Sequence, residues 1–163
     1  GNRYVVPDGV RQICNGALAG SSFLTSVVLP VSLTNIQDWA FAGAVGLSNV
    51  YFQGNAPAIG SFVFGGGTVY YLPTSTGWDT TFGGRPAIHP QIESTSDCGI
   101  SSNVFGFNVT CGNDVTVLVV ASTNLAGATW YTAGTNAISG GASYFSDSQW
   151  TNHPARFYKL RWP

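Results

Sequence analysis

Charged side chains are scarce in this chain. Of its 163 residues, 8% are Asp, Glu, Lys or Arg, and the net charge is −1, whereas about 25% is usual. The six Lys and Arg residues are scattered except for Lys159 and Arg161 near the end, and phosphate binding needs them clustered. The composition therefore predicts no nucleic-acid partner and no attachment to an anionic membrane. It also leaves little electrostatic repulsion to keep copies of the chain apart.

Methionine and long apolar runs are missing as well. A chain without Met that begins at Gly1 is expected to be a processed mature chain or a fragment. No apolar run approaches the roughly 18 residues of a spanning helix, so we expect no membrane insertion. Low Lys and Glu with abundant Gly, Ser, Thr and Asn favour a secreted or cell-surface location.

Residues that carry catalysis or bind metals are few and do not form a recognisable pattern. His89 and His153 each precede a Pro, the seven acids are dispersed, and no Cys-x-x-Cys occurs. The glycines around Gly65 lack the Lys-Ser or Lys-Thr of a phosphate loop. We therefore predict a non-enzymatic protein with no catalytic, metal-binding or cofactor-binding residue, and with no cofactor.

Three cysteines leave one thiol unpaired. Cys98 and Cys111 are separated by a predicted turn and the start of a strand, so in a secreted chain we expect them to form a disulfide. Cys14 lies at a position that other units of the chain fill with Gln37 and Gly60. It is either a small residue at a turn or a thiol available for an intermolecular bridge.

A period of 23 residues runs through the first half of the chain. Apolar residues and glycines recur at this interval over two units and continue into a third, shorter one. Such a period is typical of a solenoid, in which each unit buries its apolar side by stacking on its neighbours. The equivalent pairs include Val10 and Leu33, Ile13 and Ile36, Leu18 and Phe41, Leu24 and Leu47, Val27 and Val50, Ile36 and Ile59, and Phe41 and Phe64.

These repeats resemble a known family. The pattern Val-Leu-Pro-x-Ser-Leu-Thr-x-Ile-x-x-x-Ala-Phe-x-Gly-x-x-x-Leu-x-x-Val from Val28 to Val50 looks like the BspA-type leucine-rich repeat of bacterial surface and secreted proteins. The resemblance covers about residues 4 to 88 and includes a closing stretch from Val69 to Pro86. The segment from Val104 to Pro163 is similar to a small β domain that ends secreted bacterial repeat proteins. Neither resemblance implies an enzymatic activity.

The predicted fold is mainly β and has two parts. Residues 1–88 form a short leucine-rich-repeat solenoid of about three 23-residue repeats. Residues 89–103 lose the period, are rich in Pro, Ser, Thr and Asp, and are expected to form a linker. Residues 104–163 hold five or six short strands with polar turns, which predict a small antiparallel β-sandwich-like domain.

The repeat register also predicts which side chains point inward. In each strand the first and third residues should face the core and the middle one should face outward. The inward set contains Val6, Val10, Ile13, Leu18, Leu24, Val27, Leu29, Leu33, Ile36, Phe41, Leu47, Val50, Phe52, Ile59 and Phe64.

Two outward features are candidate contact surfaces. The middle strand residues form an apolar ladder that we expect to meet the C-terminal domain, another copy or a ligand; it consists of Val5, Val28, Tyr51 and Tyr70. On a predicted short helical segment, Gly16, Trp39 and Phe62 are equivalent. Trp39 and Phe62 should therefore stack on the opposite side of the solenoid.

Two function classes fit these features. The first is a structural protein that self-associates through an uncapped solenoid end and the apolar ladder into an extracellular fibre or surface layer, so that its partners are copies of itself. The second is a cell-surface adhesin, or a module that binds a glycan or a host or cell-surface protein. That module would use exposed aromatics, either Trp39 with Phe62 or Trp130 with Tyr131. We predict the first class.

Overall fold

The computed structural model describes residues 2–94, 98–126 and 129–163. The chain divides into two compact units, Gly1–His89 (unit 1) and Pro90–Pro163 (unit 2). The division falls one residue beyond the predicted end of the solenoid at residue 88.

Unit 1 is a β-solenoid. Its strands are β1 (Asn2–Val5), β2 (Gln12–Ile13), β3 (Leu24–Leu29), β4 (Asn35–Ile36), β5 (Asn49–Phe52), β6 (Ala58–Ile59), β7 (Thr68–Tyr70), β8 (Thr81–Phe82) and β9 (Arg85–Ile88). One sheet has the order β1-β3-β5-β7-β9-β8, and a second sheet of two-residue strands has the order β2-β4-β6. Neighbouring strands are parallel, except that β8 and β9 are antiparallel.

The 23-residue period is the hydrogen-bond register of these sheets. Val27 pairs with Val50 across β3 and β5, and Ile13 pairs with Ile36 across β2 and β4. Hydroxyl groups extend the same register, because Thr25 Oγ1 donates to the Asn2 carbonyl at 3.2 Å. Each turn therefore bonds directly to the next turn, as a stacked repeat requires.

The apolar positions of the repeats form one core. All fifteen residues of the predicted inward set belong to it or pack against it: Val10, Leu18 and Ile59 are partly buried and the other twelve are buried. The ring of Phe41, fully buried, stacks on Phe64 of the next turn with centroids 5.5 Å apart. The predicted register of the solenoid is confirmed.

Turns replace the predicted short helical segments. Within the described residues no α-helix forms, and the single helical turn is the 3-10 segment Trp150–Asn152 of unit 2. The reason is visible at the equivalent residues Gly16, Trp39 and Phe62, which have φ angles of 63°, 61° and 55°. This left-handed conformation reverses the chain direction and cannot continue a right-handed helix.

An antiparallel hairpin closes one end of the solenoid. β8 and β9 continue the main sheet after β7, and Trp78 and Phe82 cover the core there. The rings of Trp78 and Phe82 contact the ring of Phe52 with centroid distances of 4.8 and 5.4 Å. Since its last strands run antiparallel, this end does not present the parallel edge that another repeat would extend.

Unit 2 consists of two antiparallel sheets. Its strands are β10 (Gln91–Ile92), β11 (Gly99–Ser101), β12 (Val104–Thr110), β13 (Val115–Ser122), β14 (Tyr131–Ile138), β15 (Ala142–Asp147) and β16 (Phe157–Arg161). β12 pairs with β10, β11 and β15, and β13 pairs with β14 and β16. Phe107 and Phe145 of the first sheet contact Tyr158 of the second, with centroids 5.6 and 5.8 Å apart. This arrangement is the antiparallel β domain predicted from the sequence.

The segment 89–103 is not the simple linker that its composition predicts. Ile92 of β10 pairs with Val109 of β12, and Ile100 of β11 pairs with Phe105 of the same strand. Apolar residues between the polar ones give this segment a face that can join the sheet. Residues 95–97 of the predicted linker lie outside the described residues.

A buried ion pair links β15 to the segment that leads into β16. Arg156 Nη1 lies 3.0 Å from Asp147 Oδ2, and the two side chains are 8% and 5% exposed. The Tyr158 hydroxyl donates to the same oxygen at 2.8 Å, and the Gln149 amide donates to Asp147 Oδ1 at 2.8 Å. The carboxylate of Asp147 thus accepts hydrogen bonds from three residues, Gln149, Arg156 and Tyr158.

We expect unit 2 to lose stability in alkaline solution through Tyr158. The pKa of Tyr158 is raised above its ordinary value, first because burial disfavours the phenolate and then because of the hydrogen bond to, and the charge of, Asp147. The folded state therefore holds this proton more tightly than the unfolded chain does. The resulting stability is fully present below the ordinary tyrosine pKa of about 10 and is lost as the pH rises above it.

The test is urea unfolding monitored by circular dichroism between pH 8 and pH 11.5. Tyr158→Phe should be less stable than the parent chain at pH 8, because the hydrogen bond is gone, but its stability should fall less steeply above pH 10. Equal slopes for the two proteins would show that Tyr158 does not cause the alkaline loss.

Candidate functional site

The apolar ladder predicted on the main sheet is present in register. Val5 pairs with Val28, Val28 with Tyr51, and Tyr51 with Tyr70. The ladder continues to Ile88 on β9. The rings of Tyr51 and Tyr70 stack with centroids 5.1 Å apart.

Most of this ladder is not open to solvent, contrary to the prediction. Val5 is 52% exposed and Tyr51 is half-buried, but Val28 is 1% and Tyr70 2% exposed. The ring of Tyr51 covers one side of Tyr70 by stacking on it. Val5 is therefore the one ladder residue of the four that offers a largely free side chain.

The second predicted feature, the aromatic stack of unit 1, is formed and exposed. The rings of Trp39 and Phe62 lie 4.7 Å apart at an interplanar angle of 23°. Trp39 is 49% exposed and Phe62 is 72% exposed. A surface pair of this size is a flat apolar platform.

The backbone under this stack is unusual for aromatic residues. Trp39 and Phe62 have positive φ angles, and Gly16 occupies the equivalent position in the first turn with the same conformation. The left-handed region costs a residue with a Cβ about 1–2 kcal/mol, which glycine avoids. Aromatic side chains at such a position point to a role that offsets the strain.

A polar groove of about 340 Å³ is lined by residues that are close in sequence to the aromatic stack. It is lined by side chains from the second sheet and its following turns: Asn15, Asn35, Ile36, Gln37, Asp38, Ala58, Ile59 and Gly60. Asp38 directly precedes Trp39, and its Oδ1 accepts a hydrogen bond from the Ser61 amide at 2.7 Å. Gln37 Oε1 accepts one from the Asn15 amide at 3.0 Å. Backbone groups therefore fix the orientation of two polar side chains of the groove.

The end of unit 1 opposite the β8–β9 hairpin carries exposed apolar side chains. Tyr4 is 46% and Phe23 is 67% exposed, and with Leu18 they line a mainly apolar groove of about 460 Å³. We call this surface the end face and define it by Tyr4, Leu18 and Phe23, which line the groove. β1 forms the edge of the main sheet beside it.

Sequence reasoning missed Phe23, although the repeat register contains a signal. Phe23 is equivalent to Gly46 in the second turn. A Cβ on Gly46 would lie 2.5 Å from the Ser22 carbonyl oxygen of the turn stacked on it. At Gly46, stacking leaves room only for glycine, whereas the equivalent residue of the first turn, Phe23, has a large side chain. The end face is therefore shaped differently from the contacts between the inner repeats.

In the other predicted aromatic platform, each ring has a cation over one face. Lys159 Nζ lies 4.1 Å from the ring centroid of Trp130, which is half-buried. The guanidinium of Arg156 lies 5.3 Å from the centroid of the Tyr131 ring. These cation–π contacts stabilise unit 2, and Tyr131 remains 40% exposed.

The predicted disulfide is not formed: Cys14, Cys98 and Cys111 are all free. The pairing of Gly99 with Gly106 places Cys98 opposite Phe107, four residues, or about 14 Å, along β12 from Cys111. A disulfide needs Cα atoms within about 7 Å. Burial raises the pKa of the Cys111 thiol, which keeps it protonated, whereas Cys14 is exposed.

Side chains that could bind a metal ion do not come together in the part of the chain that the structure describes. Across residues 2–94, 98–126 and 129–163, no group of three His, Cys, Asp or Glu side chains could hold a metal ion. In the same ranges no helix is long and apolar enough to cross a membrane. The candidate sites are thus the aromatic stack with its polar groove and the end face.

A comparison with known families gives one match. The model described as a BspA type leucine rich repeat region (six copies) matches residues 2–71, which include β1 to β7 and end before the closing hairpin. Neither a curated protein nor a solved structure matches the chain.

Proposed function

We propose that this chain is a non-enzymatic, extracellular bacterial protein that self-associates, because residues 2–71 match the model of a BspA type leucine rich repeat region. Proteins with this repeat are typically surface or secreted proteins, and their solenoids are typically scaffolds for interaction. A chain of surface or adhesion type is the general conclusion. Self-association through the end face is the more specific proposal.

The single observation that carries the proposal is the exposed apolar end face. Tyr4 and Phe23 are 46% and 67% exposed, and exposed apolar side chains that cluster in this way mark an interaction surface. β1 offers a strand edge beside these side chains, and a strand of another molecule can add to such an edge. The low charge of the chain lowers the cost of contact between copies.

We take the partner of the end face to be a second copy. A further repeat stacked as turn 1 stacks on turn 2 would bring a carbonyl oxygen against the Cβ of Phe23, as the geometry at Gly46 indicates. Two end faces related by a two-fold axis avoid this contact, because their β1 strands would then run antiparallel. The hairpin at the other end blocks head-to-tail stacking of solenoids. The end face therefore joins copies in pairs, and a fibre or surface layer needs an additional contact.

Charge placed on the end face should separate the copies. The double variant Tyr4→Lys, Phe23→Lys puts two cations on each side of the proposed contact, and both positions are exposed enough to leave the fold intact. We expect sedimentation velocity at about 100 µM to give a dimer for the parent chain and a monomer for the variant. Lysine at the ladder residue Val28 would be unsuitable, because Val28 is buried and the charge would destabilise unit 1.

Val45→Lys is the matched control. Val45 is an exposed apolar residue of unit 1, 84% accessible, and does not line the end face. It should dimerise like the parent chain. A parent chain that stays monomeric at this concentration, or a control that dissociates as fully as the double variant, would argue against the end face as the contact.

A second candidate function is adhesion through exposed aromatics, and the observation that favours it is the Trp39–Phe62 stack. Two large side chains are kept in a strained conformation that glycine adopts freely at Gly16. This surface is distinct from the end face, so one protein can have both functions.

A further inference from the structure

The aromatic stack has an open face beside Gly16. One face of the Trp39 ring is covered by Phe62 at 4.7 Å, yet Trp39 remains 49% exposed. The equivalent residue of the preceding turn is Gly16, and a Cβ added there would meet no atom within 4 Å. The stack of rings thus ends at Trp39, and we call the open space over Gly16, next to the uncovered face of Trp39, the slot.

Polar residues directly precede both Gly16 and Trp39 in the sequence. Asn15 precedes Gly16 and Asp38 precedes Trp39, and both line the polar groove. The backbone hydrogen bonds to Asp38 Oδ1 and Gln37 Oε1 occupy one atom of each side chain. In the described part of the chain no hydrogen bond is formed by Asp38 Oδ2 or Gln37 Nε2, which leaves a fixed acceptor and a fixed donor for a ligand.

We propose that this site binds a neutral glycan, with one pyranose ring stacked on Trp39 in the slot over Gly16. A pyranose has an apolar face of C–H groups that fits a flat aromatic ring and a rim of hydroxyls that both donate and accept hydrogen bonds. Trp39 supplies the flat surface, Asp38 accepts from a hydroxyl, and Gln37 and Asn15 donate to others. The inference rests on the second candidate function and names its ligand class.

The charge of the groove selects among glycans. Its lining contains one charged residue, Asp38, and no Lys, Arg or His. A uronic or sulfated sugar would bring a second negative charge to this carboxylate without a cation to neutralise it. A protein partner with an apolar contact surface fits less well, because the groove lining includes the amides of Asn15, Asn35 and Gln37 and the carboxylate of Asp38. Uncharged sugars remain the best match.

The experiment is affinity electrophoresis of the full chain in native gels that contain one soluble polysaccharide each. The probes are hydroxyethyl cellulose, a soluble β-1,3-glucan, galactomannan and, as the acidic counterpart, polygalacturonate. We expect at least one neutral probe to retard the parent chain and polygalacturonate not to. Trp39→Gly should weaken that retardation at least about tenfold in apparent affinity.

Glycine is the informative replacement at this site because it adopts the positive φ of residue 39 without strain. The variant should keep the melting temperature of the parent chain within a few degrees, which separates lost binding from lost folding. Gly16→Trp should also abolish retardation, since it fills the slot with a third ring while leaving Trp39 in place. Val45→Gly removes an exposed apolar side chain that lines neither the groove nor the end face, and it should bind like the parent chain.

The outcomes separate the ligand class from the adhesive function. If no neutral polysaccharide retards the parent chain, or if Trp39→Gly and Gly16→Trp bind as well as it does, the glycan proposal is overturned. A peptide array probed with the parent chain and Trp39→Gly then decides the function itself. Binding that depends on Trp39 would preserve adhesion with a protein ligand, and no such dependence would remove both.

Discussion

Replacing Phe41 by Ala is expected to lower the free energy of unfolding of unit 1 by about 3–5 kcal/mol. Phe41 is fully buried and its ring stacks on Phe64 of the next turn. Its amide donates to the Val63 carbonyl at 2.9 Å, so the residue lies where turns 2 and 3 join. In an array of about three turns each contact between neighbours is a large part of the total stability. A cavity at this point therefore weakens the whole unit.

Urea unfolding followed by circular dichroism measures this loss, and Phe23→Ala provides the control. Phe23 is 67% exposed, so truncating it in a dilute, monomeric sample should change stability by no more than about 0.5 kcal/mol. Similar losses for the two variants would mean that the core of unit 1 is not organised around the Phe41 position.

Replacing Asp147 by Ala is expected to destabilise unit 2 by about 3–5 kcal/mol. The change removes the partner of Arg156, whose guanidinium then stays buried without a counter-charge. Arg156 Nε already lacks a hydrogen-bond partner among the described atoms, so the side chain has little to compensate the loss. The hydroxyl of Tyr158 and the amide of Gln149 lose their acceptor as well.

The double variant Asp147→Leu, Arg156→Met tests the cause. If the penalty comes from an uncompensated buried charge, removing both charges should recover most of the stability lost in Asp147→Ala. Thermal unfolding of the three proteins is the measurement. A double variant that is less stable than the single one would show that the ion pair itself, and not the orphaned charge, carries the stability.

The repeat register was the most predictable part of this fold. A 23-residue period assigns the same environment to Val27 and Val50 or to Ile13 and Ile36, because stacked turns must place equivalent side chains at equivalent depths. In unit 2, the sequence predicts strands over Val104–Thr110 and Ala142–Ser146, and the structure has strands at Val104–Thr110 and Ala142–Asp147. Periodicity and alternation follow from backbone geometry and need no knowledge of distant contacts.

The burial of outward-facing residues and the pairing of cysteines were harder to predict from the sequence. Periodicity placed Val28 and Tyr70 in a ladder but could not determine how far their neighbours cover them. The pairing of Cys98 with Cys111 was inferred from sequence separation, whereas the register of β11 on β12 decides it. The sequence contains a signal for the positive φ angle of Trp39, because the equivalent residue is Gly16. Aromatic residues so rarely adopt a positive φ, however, that a helical turn was the natural expectation.

The one-sided closure of unit 1 has a consequence for how such a protein changes length. The β8–β9 hairpin fixes one terminus of the array, while β1 to β7 keep a uniform parallel spacing. Duplication of a 23-residue block such as 28–50 would lengthen the array by one strand spacing, about 4.8 Å, and leave the hairpin untouched. Each inserted block would also carry its own copy of Trp39. The length of the array and the number of stacked aromatic rings would then increase together, by one strand spacing and one ring for each added repeat.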